Sequence, residues 1–172
     1  MDSLLTLQPI AKQDGKIRVR VSRKWSHIRS NGQTVGVSMI FVDHNDLRIH
    51  AWMKSMIMLR LDQFLVEVEV FDIENFIVRP YGAQEKNQCF TGDKRIFLTE
   101  ATVVNPSIRP HEFIPKHVFN CIPLNTVYQH ASQGTYLIDV CGIVKDLEPI
   151  QHFVSITGKE QIFAKLILAD NK

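Results

Sequence analysis

Between Lys16 and Trp25 apolar and polar residues alternate, with Ile17, Val19 and Val21 set against Arg18, Arg20 and Ser22. A period of two sends one set of side chains into a core and the other into water, so this stretch reads as a half-buried β-strand. Its wet side is cationic. The ten residues carry five basic side chains (Lys16, Arg18, Arg20, Arg23 and Lys24) and no acidic one, although the whole chain nets only +2 at pH 7. Positive charge is therefore local, which suits a groove better than a uniformly basic surface. A cationic strand beside an aromatic fits an anionic partner with flat rings, such as single-stranded nucleic acid. A solvated strand face with a core tryptophan fits the same pattern.

The elements that follow narrow the choice of fold. Asn31-Gly32 is a hairpin signal. Val35 to Val42 alternates again, with Val35, Val37, Met39 and Phe41 on one side. After the polar turn Asp43 to Asp46, Leu47, Ile49 and Ala51 share one strand face and Arg48, His50 and Trp52 the other. The period then changes to three and four over Met56, Ile57, Leu59, Arg60, Leu61 and Phe64, a short amphipathic helix with Ser55 as its expected cap. Val66 to Val78 reads as one long strand bent at Asn75, and Arg95 to Val104 as the last. Three strands, a helix and two strands is the order of the OB-fold, a five-stranded Greek-key barrel, and the helix between the third and fourth strands favours it over some other small five-stranded barrel.

At 172 residues and 45% apolar composition the chain holds one domain and part of another. The expected division is an OB domain over residues 1–104, a linker over 105–116 and a partial second OB domain over 117–172. Pro106, Pro110 and Pro115 motivate the linker. The tail carries two β-rich runs, Tyr136 to Lys145 and Phe153 to Ala169, joined by a polar hinge over 146–152. Cys89, Cys121 and Cys141 form no CxxC pair, so neither a zinc ribbon nor a disulfide framework is readable; buried, reduced thiols are expected. The N-terminus does not read as a signal peptide, and no apolar stretch reaches the length of a membrane span. No phosphate loop, GxSxG or HExxH occurs, so no catalytic set, metal site or cofactor is expected.

Residues 16–25, 39–43, 47–52, 75–80, 95–100 and 136–144 together resemble the replication protein A large-subunit family, at its first single-strand-binding OB domain and the start of the second. The form is closest to the shorter paralogs expanded in plants. The resemblance implies base stacking by Trp52 on the third strand and by Phe90 in the loop before the fifth. It implies phosphate or base contacts from Arg23, Lys24, Arg48 and Arg79, with Lys86 a weaker candidate. It further implies a non-enzymatic role in DNA replication, repair or recombination in the nucleus, with single-stranded DNA or RNA and replication protein A subunits as partners. The family's N-terminal docking domain and its zinc-bearing domain are absent, and the second barrel stops after about two strands, as in a truncated paralog or a fragment. Open β edges between Tyr136 and Ile167 make self-association, or a protein-interaction module, the rival expectation.

Overall fold

The computed structural model describes residues 1–9, 15–83, 85–86, 88–108, 113–156 and 158–170. The alternating basic stretch forms the longest strand, β1 (Lys16–Ile28), with Ile17, Val19 and Val21 fully buried. Gly32, at φ +82°, turns the chain into β2 (Thr34–Val42), a backbone conformation that costs glycine little. Asp43 closes the next turn. Its buried carboxylate accepts the amides of Leu4, Asn45 and Leu47 at 3.0, 2.9 and 3.2 Å, so burial leaves it satisfied. β3 (Arg48–Lys54) then runs directly into α1 (Ser55–Leu61). The cap position consequently falls on Lys54 instead of the expected Ser55, and no side chain caps the helix.

The long strand expected over 66–78 is shorter and divided. Pairing begins only at β4 (Val70–Glu74), stops at Asn75 and resumes as β5 (Ile77–Pro80). Asn75 takes φ +59°, a left-handed conformation that asparagine tolerates, and so makes the corner. The last strand bends in the same way, as β6 (Lys94–Phe97) and β7 (Val103–Pro106). The sheet order is β5-β6-β3-β2-β1-β4-β7. Its two ends are halves of the same two bent strands, so the sheet curls back on itself as an OB-fold barrel. Inside lie Ile17, Phe41, Met53, Ile73, Phe76 and Ile96, with Leu7, Leu61 and Leu65 packed against them.

The chain divides into two units, residues 1–85 with 91–118, and 86–90 with 119–172. The stretch read as a linker starts as the end of β7, where Asn105 and Pro106 pair with Asp72 and Phe71. Pro110 lies in 109–112, outside the described residues, and beyond it Ile114 is buried beside Val42 and Val70. Proline is at home at the end of an edge strand, and the division between the two units falls just beyond the stretch, between Val118 and Phe119.

The second unit is built of short pieces. β8 (Cys121–Ile122) pairs in parallel with β9 (Asp139–Val140) around a 3-10 turn at Leu124–Thr126 and α2 (Val127–Ala131). β10 (Ile143–Leu147) pairs with β13 (Leu166–Ala169), and β11 (Gln151–Val154) with β12 (Glu160–Phe163). The two expected long runs are therefore interrupted, and the expected hinge residues Asp146 and His152 lie within strands. Cys121 and Cys141 are exposed, contrary to the buried thiols expected, because this unit covers little of its own surface.

Candidate nucleic-acid interface

The inward parity of β3 (Ile49, Ala51, Met53) leaves Arg48, His50 and Trp52 on the outside of the barrel. Neighbouring strands add Trp25, His27 and Ser38 on one side, and Arg95, Phe97, Arg79 and Tyr81 on the other, because β3 lies between β2 and β6. These side chains form a connected aromatic face. Trp25 stacks on His50 with ring centroids 6.3 Å apart and planes 9° from parallel. His50 stacks in turn against Tyr81 at 6.1 Å and 16°. His27 meets Trp52 edge-on at 5.0 Å.

Trp52 is half-buried, and its indole lies across Gly36 of β2. A Cβ on Gly36 would stand 2.5 Å from the indole Cζ2, so only glycine leaves room for the ring. His50, expected on the wet face, is on the outer side but only 7% exposed, covered by the flanking rings. Its Nδ1 bonds the Tyr81 hydroxyl at 2.9 Å and its Nε2 the Ser38 hydroxyl at 2.9 Å, which also bonds His27 Nε2 at 2.8 Å. Burial lowers the His50 pKa from 6.5 to about 4, aided by the Arg95 charge and by His27. The imidazole is thus a neutral spacer that fixes the rings on either side of it.

The cations divide into bound and available. Arg18 makes a bidentate pair with Asp72, at 2.7 and 2.8 Å. Arg20 donates to the backbone oxygens of Ile114 and Val68. Lys24, a candidate from the sequence, is held by Asp62 at 2.9 Å and by the carbonyls of Asp62 and Leu65. Its ammonium is thus engaged in holding the segment after α1, through one ion pair and two carbonyl bonds. Arg48 donates to the Val118 carbonyl at 3.1 Å and is half-buried. Arg23 and Arg79 are exposed, and among the described residues neither has an ion pair.

Lys86 and Phe90 fall in the second unit, where the Gln88 amide bonds Thr135 O at 2.9 Å. Lys86 is exposed, but Phe90 is 6% exposed, so it presents no open ring face for stacking as expected. The residues that sequence reasoning missed are His27, Tyr81, Arg95 and Phe97. The signal for two of them was present: Arg95 and Phe97 alternate with the inward Ile96 and Leu98. Beside Phe97 a groove of about 880 Å³ runs between α1 and the corner at Asn75. Among the described residues no group of three His, Cys, Asp or Glu could hold a metal, and no helix is long and apolar enough to cross a membrane.

An OB barrel carrying an aromatic and cationic outer face is the class this geometry defines. The chain belongs to the family described as "Domain of unknown function DUF223", matched over residues 6–124. Among curated proteins none matches the sequence. Solved structures do, and one is described as "Structure and Conformational Change of a Replication Protein A Heterotrimer Bound to ssDNA". The likeness has a TM-score of 0.58 at 20% identity, over 99% of this chain and 39% of that one. It is a likeness of fold, and this chain spans well under half the length of that neighbour.

Proposed function

We propose that this protein binds single-stranded nucleic acid, DNA before RNA, without catalysis, as a replication protein A-like OB module. The observation that carries the reading is the Trp52 indole seated on the outer face of β3, against Gly36 and His27, with the exposed Arg23 on β1 two strands away. Bases stack on such rings with about 1–3 kcal/mol each and little regard to sequence. Cations along the strand neutralise phosphates and make affinity salt-dependent. The cellular setting we propose is DNA replication, repair or recombination in the nucleus, in the form of the shorter plant-type paralogs, with replication protein A subunits as partners. The fold shared with a heterotrimer bound to ssDNA supports this reading.

The test is titration with oligothymidine at several salt concentrations, followed by tryptophan fluorescence. If about three phosphates are neutralised, log affinity falls against log salt with a slope of roughly −2. Trp52→Ala should weaken binding by about 1–3 kcal/mol while circular dichroism stays unchanged. An undiminished affinity in that folded variant overturns the stacking assignment. Absent binding, or binding indifferent to salt, favours a second reading, a protein-interaction module. The exposed Leu147, Ile150 and Val154 of the second unit support it. Its partner would be a replication protein A subunit or another copy pairing between residues 136 and 167.

A further inference from the structure

Phe97 stands in register with Trp52 across the β3–β6 pair, so both side chains point outward from adjacent strands. They diverge from there. The Trp52 ring leans over Gly36 on β2, and Phe97 lines the groove on the opposite side of β3. The charges around Phe97 are unusual. Arg79 and Arg95 are direct cross-strand partners on β5 and β6, and both guanidinium groups lie over the same ring, 5.6 and 4.7 Å from its centroid. Like charges placed opposite one another in a sheet destabilise it. One carboxylate, Glu85, answers Arg95, donating atom Nη2 standing 3.0 Å from Oε2. No described carboxylate answers Arg79, and Lys54 adds another exposed cation to the groove, whose one lining carboxylate belongs to Glu100.

We infer that Phe97 and Arg79 form a second nucleotide subsite, separate from Trp52, in which a base lies against the Phe97 ring and its phosphate satisfies Arg79. A strand engaged at Trp52 crosses β3 and continues into the groove beside α1. The groove volume, about 880 Å³, is within the range of small-ligand sites and holds a nucleotide with room for its neighbour. The inference rests on the single-strand reading above and extends its footprint by one base.

Two labelled oligothymidines test it by fluorescence anisotropy, one of about two nucleotides, which can occupy Trp52 without reaching past β3 into the groove, and one of about ten, which spans a single OB domain. Phe97→Ala should weaken the longer strand about 5-fold or more and leave the shorter within about 2-fold. Trp52→Ala should weaken both. Phe97→Leu keeps the apolar volume and the fold, and should reproduce the loss, since it removes only the ring. Arg79→Ala should lower the salt slope for the longer strand by about 0.7 and leave that for the shorter unchanged. If the Phe97 variants bind the longer strand like the wild type while Trp52→Ala does not, the subsite is refuted and the single-strand reading stands. If the wild type binds neither strand, both fall together.

Discussion

Replacing Gly36 by alanine should destabilise the barrel, against the ordinary direction of that substitution. Gly→Ala within a strand normally stabilises by about 0.4–1 kcal/mol, because alanine has less freedom to lose on folding. Here the added methyl would stand 2.5 Å from the Met53 carbonyl oxygen and 2.5 and 2.7 Å from two indole carbons of Trp52. A carbon and a carbonyl oxygen rest about 3.3 Å apart or more. Relief therefore demands a shift of roughly 0.8 Å, a sizeable fraction of the ~4.8 Å between strands. The ring can swing away, but the Met53 oxygen is fixed in the backbone beside the β2–β3 ladder. Overpacking of this kind costs about 1–3 kcal/mol. Urea unfolding followed by circular dichroism measures it, and tryptophan emission reports separately on whether Trp52 has left its seat. In a Trp52→Ala background the cost should shrink without vanishing, because the carbonyl remains. A Gly36→Ala variant as stable as the wild type, or more so, would refute the close approach on which the Trp52 position depends.

Two further outcomes follow from the charges. Lys24→Ala should lose about 1–3 kcal/mol of stability, as its ion pair and two carbonyl bonds go, without altering the salt slope of strand binding. Arg23→Ala should do the reverse, leaving stability within about 0.5 kcal/mol and lowering the slope by about 0.7; paired urea and salt titrations separate the two. His50, held near a pKa of about 4 against 6.5 by burial, then by Arg95 and His27, sets an acid limit. Between those values the unfolded chain takes up a proton that the folded chain refuses, so stability falls as pH is lowered through that window, by up to about 3 kcal/mol at its lower end. His50→Gln should flatten that part of the profile; an unchanged profile would mean that other groups govern it.

The alternation of Ile17, Val19 and Val21, and of Ile49, Ala51 and Met53, made the inward faces legible, since period two follows directly from strand geometry. The helix was legible from its change of period. Its cap was not, because β3 passes into α1 without the usual break. Lys24 and Phe90 mark the limit for the site. A basic side chain next to a loop and an aromatic in a polar loop carry no local sign of Asp62 38 residues away, or of what buries Phe90. His50 was placed on the correct side of its strand, and only the neighbouring rings, distant in sequence, close it off from water.

The two corners of the bent strands meet. The Asn75 carbonyl accepts the hydroxyls of Thr102 at 2.9 Å and Thr99 at 3.3 Å, and Arg60 from α1 binds the carbonyls of Thr99, Glu100 and Thr102. The barrel therefore has a seam, and the helix fastens it. Because Asn75, Thr99, Glu100 and Ala101 also line the groove beside Phe97, whatever fills that groove lies across the seam. Breathing of the barrel and occupancy of its outer face should therefore be coupled: amide exchange along 99–102 should slow when a ligand is held there and quicken in Arg60→Ala, as hydrogen-exchange mass spectrometry would read.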